Sequence, residues 1–378
     1  MEKSFHTTIV GNYGFSNYGD DILLRSILSS LQGKVPEGEL CVLINESDYL
    51  QAWYPEVIFK PSNQFGKIKT KYLIYGGGTQ FYSFKSDLYW LRKRLTNIGH
   101  YLLEPKKLFE RLKIAACDNN IYAERTGAIS IGVGPFIRGS SAESEAKSIL
   151  KRTEFLSVRD LSSLHLLESW GISGVKINSD LGFAMELWLD KPLKHPTILK
   201  ETGRIGVIIR NWPHTEEGMR YIDPLFHTMA QLRTEGLHPE FISFAGDYDI
   251  KVRNFLEEKG ESVLNWDPYK QTPASFTEEL MVFDIILTTR AHGVVIGSGL
   301  GIPTIAVEIE PKLKAIREGL DIGTIGWGPP FDPNELLQII HNLISNRENI
   351  IKDMRKFVEN CASSAFASMN ELRYWLDL

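Results

Sequence analysis

Short apolar runs recur along the whole chain, each followed by a longer stretch with helical spacing. This alternation limits the fold more than any other property of the sequence. Runs that read as strands lie at His6–Val10, Leu40–Ile44, Lys71–Tyr75, Ala128–Val133, Phe155–Val158 and Val175–Ile177. The series continues with Arg204–Ile209, Glu240–Phe244, Ile285–Thr288 and Thr304–Val307. Helical patterns fall between them, at Asp20–Leu31, Ser141–Lys151, Ser162–Trp170, Tyr221–Glu235, Ile250–Lys259 and Phe276–Met281. Strands that are apolar throughout are buried on both faces, so the expected fold is α/β, with parallel sheets covered by helices.

The series starts twice. A polar stretch from Trp188 to Gly203 contains Pro192 and Pro196, and Ile205-Gly206-Val207-Ile208-Ile209 after it reads as a fresh first strand. A chain of 378 residues exceeds what one compact core holds. Two doubly wound, Rossmann-like domains facing across a cleft are therefore expected, at about 1–190 and 200–345, with a helical tail at 346–378 packing back on the body. Such an arrangement suits two substrates, one held by each domain.

Composition removes several classes of function. With 43% hydrophobic and 24% charged residues and a formal net charge of −5, the chain reads as a soluble globular protein without nucleic acid as a partner. The three cysteines are far apart and lack metal spacing; Cys41 and Cys117 fall in apolar runs and read as buried, inert thiols of a reducing compartment. No apolar signal core stands at Met1 to Thr8 and no window is long enough to span a membrane, so a cytoplasmic location is expected. The nine histidines form no H-x-x-x-H or H-x-H pair, and neither a metal nor a cofactor is expected.

In open α/β sheets ligands bind at the carboxyl ends of the strands, and the polar residues at those ends are the candidates. Thr288-Thr289-Arg290-Ala291-His292-Gly293 ends one strand: an arginine that can grip a carboxylate or phosphate, and a histidine that can move a proton. Arg159 ends another, beside Asp160. Arg210 and Trp212 end the first strand of the second half. Glu308-Ile309-Glu310-Pro311-Lys312 follows Thr304–Val307 and adds Lys312. Gly11-Asn12-Tyr13-Gly14 leads through Asn17 to Gly19-Asp20 and a helix, with Asp20 as its N-cap in the plainest reading. Gly76, Gly77 and Gly78 form a turn that lets another group come close. Asp180 either caps a turn or orients a sugar hydroxyl or basic side chain. The basic, aromatic segment Phe84 to Lys113 reads as a solvated helix, as a surface for peripheral contact with an anionic membrane, or as a grip for a phosphate-bearing acceptor.

Taken together these pieces resemble the polysaccharide pyruvyl transferase family. The matching residues are Gly11-Asn12-x-Gly14-x-x-Asn17-x-Gly19-Asp20, the triple glycine, Ser157-Val158-Arg159-Asp160 with Ser163 and Leu164, Asp180 with Phe183, and Arg290-x-His292 with Gly301-Ile302-Pro303. Thr289 stands where the family has a serine, which keeps the hydroxyl. The resemblance implies a B-type glycosyltransferase fold and transfer of a pyruvyl group from phosphoenolpyruvate to a saccharide acceptor, free or lipid-linked, in polysaccharide biosynthesis. A cyclic ketal would form and phosphate would leave. It assigns Arg159, His292 and Lys312 to the donor, with Arg290 and Arg210 as further cations. His292 and Arg290 are the expected catalytic pair. Asn12, Asn17, Asp20, the three glycines and Asp180 are assigned to the acceptor or to the loops around it. A nucleotide-sugar glycosyltransferase of the same fold and a non-catalytic glycan-binding protein are the alternatives. The sequence sets no oligomeric state.

Overall fold

The computed structural model describes residues 3–45, 48–84, 119–189, 202–212, 214, 217–246, 248–320 and 322–378. Segment 84–113 lies outside these residues except for Phe84, as does Cys117. The chain forms two compact units. The first comprises Met1–Gly14, Leu31–Ile177 and Asn370–Leu378; the second comprises Phe15–Ser30 and Asn178–Met369. The division thus falls at Ile177/Asn178 rather than near 190–200, and the first helix counts with the second unit.

The first unit holds a parallel sheet in the order β3-β2-β1-β4-β6-β7-β8, with β5 paired to β6. Its strands are β1 (Lys3–Val10), β2 (Leu40–Ile44), β3 (Ile58–Pro61), β4 (Lys67–Tyr75), β5 (Gly78–Phe81), β6 (Asn120–Val133), β7 (Phe155–Val158) and β8 (Lys176–Ile177). Strands β2 and β7 are buried at every residue. The order reverses between β1 and β4, which run side by side from Lys3↔Ile68 to Val10↔Tyr75. The end of the tail belongs here. Trp375 meets Tyr72 edge-on at 5.1 Å and stacks on Phe155 at 5.9 Å. Gly127 makes room for it, since a Cβ there would lie 2.9 Å from the indole.

The second unit has the order β11-β10-β9-β12-β13-β14, also parallel. The strands are β9 (Arg204–Ile208), β10 (His238–Ser243), β11 (Val263–Asn265), β12 (Ile285–Thr288), β13 (Thr304–Val307) and β14 (Thr324–Trp327). This is the six-strand dinucleotide-fold order, and it reverses between β9 and β12. The predicted strands are all present. Those not predicted, β3, β5, β11 and β14, are at most four residues long. Asp20 does not cap the first helix, which already begins at Tyr18 (Tyr18–Leu31); Asp20 lies in its first turn.

Tyr18 fastens that helix to the second unit. It is fully buried, its ring lies within 5.1 Å of Phe244, Trp266 and Phe276, and its hydroxyl is 2.5 Å from Thr277 Oγ1. The indole of Trp266 donates to Asp21 Oδ2 at 2.9 Å, and Tyr18 N donates to Phe244 O at 2.8 Å. The long helix Arg347–Trp375 contributes Cys361 and Ala365 to the same unit's core. Tyr18→Ala removes a large buried ring and is expected to destabilise the protein by about 3–5 kcal/mol. Denaturant midpoints with an unchanged m-value will check this.

Candidate functional site

In each unit, the crevice where the strand order reverses is the place to look for a ligand, and the candidate residues gather there. In the second unit Arg210 follows β9 and Arg290 follows β12, the two strands that flank the reversal. Both guanidinium groups are largely buried, with side chains 14% and 11% exposed. Arg210 Nη2 donates to Glu310 Oε1, and Arg290 Nη2 donates to Asp249 Oδ1. The Nε atoms of both arginines are buried without a hydrogen-bond partner among the described residues. Burial disfavours the charge of Arg210; Glu310 opposes this, and the charge of Arg290 adds to it. Two guanidiniums that feel each other across a sheet's reversal point gain from a shared anion.

Each arginine is also supported from behind. The Arg210 guanidinium lies 4.0 Å from the Trp212 ring centroid. Tyr221, its hydroxyl held in the neutral form by burial, donates to Arg210 O at 2.9 Å. Asp249, which holds Arg290, also accepts from Ala245 N at 3.1 Å and Ser243 Oγ at 3.2 Å. Arg210 is thus stacked on Trp212 and is not a surface residue.

His292 lies in the first turn of the helix Ala291–Gly299, every residue of which is buried. Amide groups at such a helix start point toward the carboxyl edge of the sheet and favour negative charge. The imidazole is held on two sides. Its Nε2 is 3.9 Å from Asp180 Oδ2, close enough for charge coupling but beyond hydrogen-bond reach. On the other side lies Gly19, where a Cβ would sit 2.0 Å from His292 Nδ1. Gly19 is therefore glycine because the histidine fills the space of a side chain. Asp180 Oδ1 accepts from Gly182 N at 2.9 Å, capping the turn Leu181–Phe183, while Oδ2 faces the histidine. Asn17 Nδ2 donates to Asp20 Oδ2 at 2.5 Å, and Asn17 bridges to Ala245. Lys312 stands half-buried in the first turn of the helix Pro311–Glu318, two residues after Glu310.

The first unit has its own polar edge. Gly76 N donates to Val10 O at 2.9 Å, and Gly77 O accepts from Gln80 Nε2 at 2.8 Å. Gly78, with φ +86°, opens β5 in a conformation that only glycine adopts easily. Thr79 then links two candidates: its carbonyl accepts from Asn12 Nδ2 at 3.2 Å and its hydroxyl accepts from Arg159 Nη2 at 3.0 Å. Arg159 and Asp160 form only a long pair, at 4.0 Å. Asp160 is occupied instead in capping the helix Leu161–Ser169, accepting from Ser163 N at 2.8 Å. Arg159 and Asn12 belong to the first unit; Asn17, Asp20, Asp180, Arg210, Arg290, His292 and Lys312 belong to the second.

Sequence reading missed Asp249, Glu310 and Thr79 as partners of the arginines. Acids that lie 41 and 100 residues from their arginines leave no local signal.

The Polysaccharide pyruvyl transferase family matches residues 17–311, and the chain belongs to that family. Among curated proteins none matches by sequence. Solved structures share the fold. S. aureus MnaA with UDP aligns at TM-score 0.57 and 13% identity over 100% of this chain and 98% of that one. Anabaena Alr3699/HepE with UDP gives 0.54 and 13% over 99% and 100%. The UDP-GlcNAc 2-epimerase from Neisseria meningitidis bound to UDP-GlcNAc gives 0.52 and 14% over 100% of both. These likenesses support the α/β class with Rossmann-like units, as in B-type glycosyltransferases. No helix among the described residues is long and apolar enough to cross a membrane.

Two outcomes test the site's construction. Gly19→Ala is expected to keep a cooperative fold but displace the His292 ring; its NMR ring-proton signals, assigned with His292→Gln, should shift, and unchanged signals would refute the packing. Asp249→Asn leaves Arg290 without its buried counter-charge and is expected to cost about 3–5 kcal/mol in denaturant unfolding.

Proposed function

We propose that this protein transfers the pyruvyl group of phosphoenolpyruvate to two hydroxyls of a saccharide, forming a cyclic ketal and releasing phosphate. The observation that carries this reading is the pair of buried arginines on either side of the β9/β12 reversal, with His292 entering the next helix turn. Phosphoenolpyruvate has a carboxylate and a phosphate within one small molecule. Binding it needs several cations converging on a short span, with a proton donor for the enol carbon.

In this scheme Arg290 and Arg210 take the two anionic groups, assisted by Lys312. His292 acts as the general acid, giving its proton to the methylene carbon, which becomes methyl. The adjacent carbon becomes electrophilic and accepts the oxygen of the first sugar hydroxyl. The proton of that hydroxyl returns to His292. The bond to the phosphate oxygen then breaks, phosphate leaves with the proton of the second hydroxyl, and the second oxygen closes the ring. The guanidinium groups stabilise the departing charge. The Asp180 carboxylate faces the imidazole, and the contact with Gly19 confines the ring. The second unit takes the donor, and Asn12 and the triple-glycine turn of the first unit are assigned to the acceptor. No cofactor enters the scheme, and the reaction is assigned to the cytoplasm.

A second reading uses the fold neighbours crystallised with UDP or UDP-GlcNAc. A nucleotide diphosphate is also an anion suited to paired arginines. Phosphoenolpyruvate and a glycan panel, followed by mass spectrometry, separate the two. The pyruvyl reading expects an added pyruvyl unit and free phosphate; a glycosyl unit appearing only with UDP-sugars would replace it. His292→Gln is expected to lower phosphate release by a factor of about 10²–10⁴ while leaving the unfolding midpoint near wild type. Arg290→Lys keeps the charge but loses the fork, and is expected to raise the apparent donor dissociation constant about tenfold, read by calorimetry.

A further inference from the structure

The first unit contains a second concave site, at the opposite end of its sheet from the glycine turns and Arg159. It has a volume of about 840 Å³ and is lined by residues at the amino ends of β7 and β8, by Arg125 of β6 and by the chain end from Asn370. We infer that this cavity is a saccharide subsite that holds a distant part of a polymeric acceptor. The inference rests on the reading that the acceptor is a glycan.

Chemistry selects the ligand. Tyr374 stands at the rim with 87% of its surface exposed. Trp375 lies beside it, stacked on Phe155, with the Arg125 guanidinium 4.9 Å from its ring centroid. The exposed ring of Tyr374 can cover the apolar C–H face of a sugar ring, with Trp375 packed behind it as part of the wall. The polar groups around them are held by one another: Arg125 Nε donates to Glu154 Oε2 at 2.8 Å, and Lys176 Nζ lies 3.0 Å from Glu371 Oε2. Asp377 accepts from the Tyr72 hydroxyl at 2.5 Å. Side chains fixed in this way offer hydroxyl groups ready acceptors and donors at little entropic cost. The lining has two basic side chains, Arg125 and Lys176, and three acidic ones, Glu154, Glu371 and Asp377. With one more acid than base, and with Arg125 and Lys176 already paired to acids, the lining gives an anion no net attraction, which suits a neutral saccharide.

Position gives the site its purpose. Phe155 and Arg159 mark opposite ends of β7, four residues apart, or roughly 13 Å along the strand. A chain engaged at the amino end of the sheet raises the local concentration of its other units near the carboxyl end without adding any contact there.

The test uses the full chain carrying His292→Gln, so that binding is read without turnover. Neutral gluco-, galacto- and manno-oligosaccharides of several units are titrated while tryptophan fluorescence is followed, with and without Tyr374→Ala. A saturable change that the Tyr374 substitution abolishes supports the subsite. No saturable change with any of these sugars, or one that Tyr374→Ala leaves intact, overturns it. In the catalytically intact protein, Tyr374→Ala should raise the apparent KM for a polymeric acceptor about tenfold or more and leave a monosaccharide or disaccharide acceptor unaffected. An equal effect on both acceptors would assign Tyr374 a merely structural role. Absence of pyruvyl transfer to any acceptor would count against the proposed reaction, while the fluorescence result would still decide the subsite.

Discussion

The contact between Gly19 and His292 governs how this protein can work. The imidazole occupies the volume that any side chain at position 19 would need. For the two to meet, the helix that begins at Tyr18 must dock in the second unit. The aromatic group of Tyr18, Phe244, Trp266 and Phe276 secures that docking. Asp180 then faces the imidazole from another direction. Three segments far apart in sequence thus converge on one histidine and restrict where its ring can sit, as a proton-transfer group requires.

The arginines follow a different logic. Arg210 and Arg290 do not wait as bare charges; each is held by a buried acid, and the acid of Arg290 is itself anchored. A lone guanidinium at that depth would be costly, and a pair of them more so. Glu310 and Asp249 make the clustered cations tolerable without covering every donor, and each Nε has no hydrogen-bond partner among the described residues. The resting site has each arginine's charge balanced by its acid. It can bind an anion through geometry as much as through charge.

Much of this was legible in the sequence, for a physical reason. Strands β2, β7, β12 and β13 are buried at every position, so they show as unbroken apolar runs with exact ends. Strand β11, by contrast, is only half-buried along its length and has no such signature. The helix Ala291–Gly299 escaped because it is buried all round and contains three glycines, which leaves no amphipathic period. The functional residues were found because they sit at strand ends, where topology puts ligands. Their partners were not, because pairing across such separations is a property of the fold. The motif from Gly11 to Asp21 reads as one loop, yet its first part serves the first unit and its second part the other.

That division has a consequence for biosynthesis. Phe15–Ser30 leaves the ribosome early, while the strands that shelter it, β9 to β12, begin nearly two hundred residues later. At typical elongation rates of about 5–20 residues per second, Tyr18 and its apolar neighbours wait on the order of ten seconds or more for their binding site. The nascent chain must keep this helix soluble, by transient local cover or by a chaperone, until the second unit exists. A fragment beginning at Asn178 would carry an open aromatic socket, so the halves of this protein cannot be inherited, expressed or exchanged as independent modules.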